Sequence, residues 1–354
     1  ACSSPRRGGA GRVGGVDLRR VHPLSDEPDD RQLFDEWLEV RNASQTAIFG
    51  VEHSSWSAEE MRGRRRGITH RFTDVAAIEG ERVVGMLSLA EPLHDNPELA
   101  LVMLAVHPDA RRRGAGSAML AEAERAVREH GRRVVQVDTE WRSDQQDDSG
   151  EGFAAGHGYS AGQTTIRSRM ALPADRHQLQ TLATSTDVED AAAFEIEASW
   201  DGVPEAWLDD LAVLEQRMST DAPQGDLQLE EEEWDAERVR ADLQWALDAG
   251  RRLVVVVARD LSVDRLVGFT QAQVSAESPT LAYQQDTLVL REARGNRLGL
   301  RLKARAALEL MDELPDVRGV RTWNADDNTH MLAVNAELGY VPEGHLRVWE
   351  KRLT

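Results

Sequence analysis

Residues 106–116 read Val106-His107-Pro108-Asp109-Ala110-Arg111-Arg112-Arg113-Gly114-Ala115-Gly116, a basic, glycine-containing loop whose flanks decide how the chain folds. Before it, residues 99–106 are apolar at every position, as in a strand covered on both faces. After it, residues 117–130 place Leu120, Ala123 and Val127 at helical spacing, and Gly131 predicts a C-cap. Strand, loop and helix N-terminus together make an anion site. Small residues let backbone N–H groups converge on a phosphate, and the helix dipole favours its charge. The plainer reading is a basic turn entering an ordinary helix.

The pattern returns at 289–299. Val289 aligns with Val106, Arg294 with Arg111 and Gly299 with Gly116, while Arg291 replaces Pro108 and Arg297 replaces Gly114. The second change sets a side chain where backbone should approach a phosphate. Arg297 could hold an anion by its planar fork, or fill an empty site. Neither loop is a nucleotide P-loop, since no Gly-Lys-Ser/Thr follows. Nor is either a dinucleotide fingerprint, which needs three glycines directly after the strand.

Outward from the loops, the order of elements is read twice. In the first half, strands are predicted at 16–21, 71–78, 82–90, 99–106, 133–138 and 163–172. Helices are predicted at 30–42, 57–67, 117–130 and 151–157, and Ser57 with Glu60 has the spacing of a capping box. Pro173 and residues 174–188 read as a polar linker. In the second half, strands are expected at 194–199, 253–258, 266–274, 280–290, 320–323 and 346–351. Helices are expected at 204–218, 230–249, after the second loop with Leu302, Ala306 and Leu310 on one face, and at 328–338. The chain of 354 residues therefore divides into a disordered tail at 1–15, a first domain at 16–173 and a second at 174–354.

The net charge of −20 argues against nucleic acid or an anionic membrane as the main partner. Cys2 is the single cysteine, which excludes an intrachain disulfide and a cysteine metal cluster and suits a reducing cytosol. Arginine supplies nearly all the positive charge, with Lys303 and Lys351 the only lysines. No apolar run reaches membrane length. The tail lacks the apolar core of a signal peptide.

Arg111-x-x-Gly114-x-Gly116, with Val106 and Pro108 before it, resembles the acyl-CoA loop of the GCN5-related N-acetyltransferases (GNAT). The doubled order resembles the tandem members of that family, an architecture also found in mycothiol synthase. The resemblance implies an α/β (α+β) fold of two tandem GNAT-like domains. Each would be a mixed, mostly antiparallel sheet flanked by helices and splayed near its middle to admit the pantetheine arm of CoA. It implies a cytoplasmic acyltransferase, without metal, that moves an acetyl group from acetyl-CoA to a primary amine of a small molecule or peptide, as a monomer or homodimer. Leu104, Ala105, Val106, Arg111, Arg112, Arg113, Gly114, Ala115, Gly116 and Ser117 would bind the donor, making the first domain the expected acetyl-CoA site. Val289, Arg294, Gly295, Arg297, Gly299, Asn324 and Asn328 mark a second candidate site. Asn324 and Asn328 belong to a stretch, 324–340, that resembles the family's second conserved block; Asn328 also reads as a helix N-cap.

The family's usual acid is a Tyr four residues before a Gly-aromatic pair; those positions hold Ala154 and Asn335 here. For the general base, Glu98 lies two residues before the strand position where the family places a Glu, here Ala100, and Asp286 sits on the equivalent second strand. A surface carboxylate is the plainer reading of both. His107 and His157 lie near the motifs, and Trp200, Trp207 and Trp234 read as packing residues. The alternatives are the same chemistry centred in the second domain, or a non-catalytic acyl-CoA-binding regulatory protein.

Overall fold

The computed structural model describes residues 12–13, 15–50, 53, 56–67, 69–145, 148, 150–184, 193–221 and 223–354. Apart from residues 12, 13 and 15, the expected tail lies outside them. The chain forms two compact units. The first comprises residues up to Leu93, then Pro97–Asp138 and Glu350–Thr354; the second comprises His94–Asn96 and Thr139–Trp349.

In the first unit, strands β1 (Arg12–Val13), β2 (Val16–Val21), β3 (His70–Glu79), β4 (Arg82–Pro92), β5 (Leu99–Val106) and β6 (Val134–Arg142) are neighbours in that order. All pairs are antiparallel except β5–β6. Helices α1 (Pro28–Phe49) and α2 (Ala58–Arg66) bury Phe34, Trp37, Leu38 and Met61 against Ala76, Val83 and Met86. The indole of Trp37 also donates to the Val75 carbonyl at 3.0 Å. Pro28 at the first helical position and Asp29 and Asp30 in the first turn start α1. It runs past the expected end at 42 to stop at Gly50, whose φ is +60°. The capping box of α2 forms as read: Glu60 N donates to Ser57 Oγ at 3.1 Å, and Ser57 N to the Glu60 carboxylate at 2.8 Å. Helix α3 (Ala115–Glu129) follows the first loop and packs on β4 and β5.

The second unit contains the short α4 (Glu151–Gly156) and a sheet of β7 (Ser160–Ala171), β8 (Phe194–Trp200), β9 (Arg251–Asp260), β10 (Arg265–Ser275), β11 (Leu281–Val289), β12 (Gly319–Ala325) and β13 (Val341–Arg352). Their spatial order is β13-β7-β12-β11-β10-β9-β8. The apolar run on β9 shows why both faces must be covered. Val254, Val256 and Ala258 pack with α5 (Arg176–Ala183) and α8 (Leu298–Glu313). Leu253, Val255 and Val257 pack with α6 (Leu208–Asp221) and α7 (Ala236–Asp248). Helix α9 (Thr329–Glu337) completes the unit.

Three expectations are corrected. Within the expected linker 174–188, α5 forms because Asp175 caps it, accepting from Gln178 N at 3.1 Å, and because Leu179 and Ala183 are buried; residues 185–188 lie outside the described residues. The helix expected at 230–249 begins only at Ala236. Asp235 caps it by accepting from Arg238 N at 2.8 Å, and the four adjacent glutamates 230–233 stay outside the helix. Finally, a cut at Pro173 does not match the compact units. Strand β7 pairs antiparallel with β12, from Thr165–Ala325 to Ala171–Gly319, and so belongs to the second unit. Residues 350–354 belong to the first, where Leu353 N donates to the Arg133 carbonyl at 2.7 Å.

Each sheet opens at its parallel pair. β5 pairs with β6 only from Leu99–Val134 to Val102–Val137, leaving residues 103–106 beyond the pairing. β11 pairs with β12 only from Leu281–Gly319 to Tyr283–Arg321. The antiparallel side differs. β4–β5 register runs unbroken from Gly85–Val106 to Ala90–Leu101. Between β10 and β11 it slips: Thr270 faces Thr287 and Ala272 faces Gln284, so β11 carries one extra residue at 285–286.

Candidate functional site

The first loop leaves β5 at Val106, makes a 3₁₀ turn at Pro108–Ala110, and enters α3 through two left-handed residues, Arg112 (φ +65°) and Gly114 (φ +93°). Arg111 braces this path from within. Its Nε donates to the Val106 carbonyl at 3.2 Å and its Nη2 to Ser44 Oγ on α1 at 2.9 Å. Arg113 donates to the Asp109 carbonyl at 3.0 Å and pairs with Glu79 at 3.5 Å. Two of the three arginines therefore hold the loop. Arg112 is exposed, and Gly114 offers no side chain to cap α3. The N-terminal turn of α3, at Ala115, Gly116 and Ser117, is the part of the loop whose helix-end amides are suited to an anion. Leu104, Ala105 and Val106 lie on the part of β5 that has left β6.

The second loop follows the same path with different residues. Arg294 Nε donates to the Val289 carbonyl at 3.1 Å, as Arg111 does to Val106, and its Nη2 reaches Asp221 at 2.8 Å. Arg291 pairs with the same carboxylate at 3.0 Å. The left-handed positions are Gly295 (φ +90°) and Arg297 (φ +54°), aligned with Arg112 and Gly114. Each loop thus has one glycine and one arginine at these two positions, in opposite order. Arg297 caps no amide; its guanidinium pairs with Glu337 on α9. At Gly299 a Cβ would meet nothing within 4 Å.

Behind the second loop lies a polar chain. Lys303, on α8 and 2% exposed, donates from Nζ to Asn335 Oδ1 at 2.6 Å. Asn335 Nδ2 donates to Asn324 Oδ1 at 2.7 Å. Burial lowers the Lys303 pKa to about 7. Asn328 caps α9, accepting from Met331 N at 3.2 Å. In the N-terminal half of the sequence, Leu120 and Ala154 occupy the positions of Lys303 and Asn335, both buried.

The bulge on β11 sets Asp286 at the opening of the second sheet. The side chain is exposed to solvent, with protein crowded around its carboxylate. Desolvation there, and then the charge of Glu232, raise its pKa. Asp242 on α7 is pushed up to about 6, by burial first and Asp286 second. Glu215 on α6 is raised further by burial, Asp286, Asp242 and Glu232, while accepting from Gln271 Nε2 at 3.1 Å. Arg238 supplies the opposing charge and is shared with Asp95 and Glu232, at 2.6 and 3.2 Å. In the first unit Met103 aligns with Asp286.

Other expected residues lie elsewhere. Glu98 precedes β5 at the end away from the loop, about 26 Å along an eight-residue strand. It is half-exposed and paired with Arg352 at 2.6 Å. It therefore stands beside the paired stretch 99–102 of β5, not beside residues 103–106 that have left β6. His107 belongs to the turn, accepting from Asp109 N at 3.3 Å, and His157 Nδ1 lies 2.8 Å from the Phe153 carbonyl at the end of α4. Trp207 is buried with α6, and Trp234 packs against the same core. The indole of Trp200 donates to Glu309 at 2.9 Å. Sequence reading missed Lys303, Glu215 and Asp242. Glu215 and Asp242 both stand at core-facing helical positions, Glu215 after Leu208, Leu211 and Ala212, and Asp242 among Val239, Leu243 and Ala246. An acid on an apolar stripe was the signal.

Among the described residues, no group of three or more His, Cys, Asp or Glu is placed to hold a metal ion, and no helix is long and apolar enough to cross a membrane. Residues 34–145 match the family model of the acetyltransferase (GNAT) family. No curated protein matches the chain. Among solved structures, a tandem GNAT protein from the clavulanic acid biosynthesis pathway is 26% identical, with 95% of this chain and 98% of that one covered and a TM-score of 0.76. A GCN5-related N-acetyltransferase from Sphaerobacter thermophilus (17% identity, 95% of each chain, TM-score 0.62) and a putative acetyltransferase from Pyrococcus horikoshii (12% identity, 99% of this chain and 94% of that one, TM-score 0.57) share the fold.

Proposed function

From the premise that residues 34–145 form a GNAT acetyltransferase domain within a tandem GNAT fold, we propose that the chain moves an acetyl group from acetyl-CoA to a primary amine, with the chemistry centred in the second unit. The observation that carries this reading is Asp286, a carboxylate of raised pKa at the bulge of β11. The first unit has Met103 at that position and an unbroken register.

The division of labour follows. In the first unit, the residues from Leu104 to Val106 and from Arg111 to Ser117 hold an acyl-CoA by backbone amides and the α3 N-terminus, with Met103 where the second unit has Asp286. In the second, Val289, Arg294, Gly295, Arg297, Gly299, Asn324 and Asn328 frame the donor. A cationic amine enters among Glu215, Glu232, Asp242 and Asp286, whose mutual repulsion it relieves. Asp286 takes the ammonium proton, the neutral nitrogen attacks the thioester carbon, and backbone amides at the bulge polarise the carbonyl. The C–N bond forms, the C–S bond breaks, and the thiolate leaves without needing a Tyr acid, because its conjugate pKa is near 8.5 and water can protonate it. The acceptor class is a small-molecule or peptide amine, the setting cytoplasmic, and the protein a monomer or homodimer.

The test is amine-dependent CoA release from acetyl-CoA across a panel of cationic and neutral acceptors, with binding measured in parallel. Release favouring cationic amines and slowed by about 10²–10³-fold in Asp286→Asn, with binding intact, is the expected result. Binding without release from any amine would identify an acyl-CoA-binding protein instead.

A further inference from the structure

Lys303 is a costly residue. Among the described residues no carboxylate pairs with its buried ammonium, which has Asn335 Oδ1 at 2.6 Å and the Tyr340 ring centre at 4.9 Å. Such a charge destabilises a core that an apolar side chain of similar size would fill. The equivalent sequence positions in the N-terminal half hold Leu120 and Ala154, both buried and neither charged.

What the ammonium does supply is direction. It has donors only, so it fixes the Asn335 amide with its oxygen inward. Asn335 must then donate, and does, to Asn324 Oδ1 at 2.7 Å. With its oxygen engaged, Asn324 presents its own N–H donors. Asn324 stands three residues past the last β11–β12 pair, on the open edge of the splay, and is partly exposed. We propose that Lys303 is a positioning residue that sets the polarity of the Lys303–Asn335–Asn324 chain, so that Asn324 offers a donor to an amide carbonyl of the acyl-CoA arm. This rests on the second unit holding the donor.

The experiment compares KM for acetyl-CoA and kcat in the full-length protein, with thermal unfolding alongside. Asn335→Asp is isosteric and still accepts from Lys303, but it cannot donate, so Asn324 must turn its oxygen outward. KM for acetyl-CoA should rise about tenfold, the loss of one good hydrogen bond, with kcat little changed and Tm not lowered. The double variant Lys303→Leu with Asn335→Ala, which installs the apolar residues of the equivalent positions in the N-terminal half, frees Asn324 to turn either way and should raise KM about threefold. Gly299→Trp, built into open space at the loop mouth, reports independently on whether the donor sits in this unit. A raised KM with Gly299→Trp but not with Asn335→Asp overturns the polarity proposal and leaves the site assignment standing. No change in either variant overturns both. A larger KM effect from the apolar double variant than from Asn335→Asp would make the chain a packing element and also overturn the proposal.

Discussion

The two loops follow one backbone path and differ in what stands around it. The first has Gly114 where the second has Arg297, and the second has Gly295 where the first has Arg112; both positions are left-handed in both loops. A left-handed non-glycine residue costs on the order of 1–2 kcal/mol, and each loop bears one. The brace is also common to both, an arginine Nε on a valine carbonyl at 3.2 and 3.1 Å. The path is therefore specified by the turn and the brace rather than by glycine alone. Chemistry diverges one layer away, where Met103 and Leu120 in one unit correspond to Asp286 and Lys303 in the other.

The sharpest way to break this comparison is at Asp286. Asp286→Asn should slow turnover by about 10²–10³-fold with acetyl-CoA binding retained, whereas Met103→Leu should leave turnover unchanged. The base must be ionised, so the rate in the parent should fall as pH drops through the raised Asp286 pKa, and that limb should vanish in the variant. Equal rates in parent and Asp286→Asn, measured by CoA release, would return the chemistry to the first unit.

Lys303 and Leu120 give the next contrast. The folded pKa of about 7 lies below the unfolded value, so the unfolded chain binds more protons between these values and stability rises with pH across that range. The rise is limited to ~5 kcal/mol. Denaturant unfolding of Lys303→Leu, the copy of the first unit, should lose this slope and be more stable at pH 7. A slope that survives the substitution would assign it to other groups.

Exchanging the loop residues tests the shared path. Gly114→Arg should lower stability by about 1 kcal/mol and weaken acyl-CoA binding in the first unit, measured by calorimetry. Arg297→Gly should relieve the same strain in the second. The smallest effect concerns the anchors of the two braces. Ser44→Ala should cost about 0.5–1 kcal/mol. Asp221→Ala should cost more, about 1–2 kcal/mol, because the lost acceptor is charged. Arg291 and then Arg294 hold Asp221 below the usual carboxylate range. Its contribution is therefore present above the unfolded carboxylate pKa and is lost as pH falls through the depressed value; acid titrations of the two variants should separate them.

The doubled order of elements and both loops were legible because they rest on local pattern, whereas the splay of the strands was expected only from the family resemblance. Residues 99–106 and 253–258 are apolar throughout, and the glycines and capping residues sit at fixed offsets. Lone apolar periodicity underestimated α1, whose last seven residues continue past Asn42 on an Asn-Ala-Ser-Gln-Thr stretch with weak patterning. Periodicity alone also overextended α7 across the glutamates 230–233. The proposed catalytic layer was half legible. Asp286 was visible as a strand carboxylate, but its bulge arises from a register between two strands and has no local signature. The placement of β7 beside β12 was not legible at all, because strand partnership over such separations is decided by which core accepts the strand.

Glu350–Thr354 have a consequence for how the molecule is made. These residues complete the first unit: Leu353 is buried there, Lys351 pairs with Glu124 at 2.7 Å, and Arg352 pairs with Glu98 at 2.6 Å. They leave the ribosome about 210 residues after Asp138, a delay of roughly 10–40 s at ~5–20 residues per second. During that interval the N-terminal half waits with an unfilled berth at Arg133 while the later half is still being synthesised. The unit that begins first therefore finishes last, and a fragment ending at Pro173 corresponds to a nascent stage of the chain rather than to a finished domain.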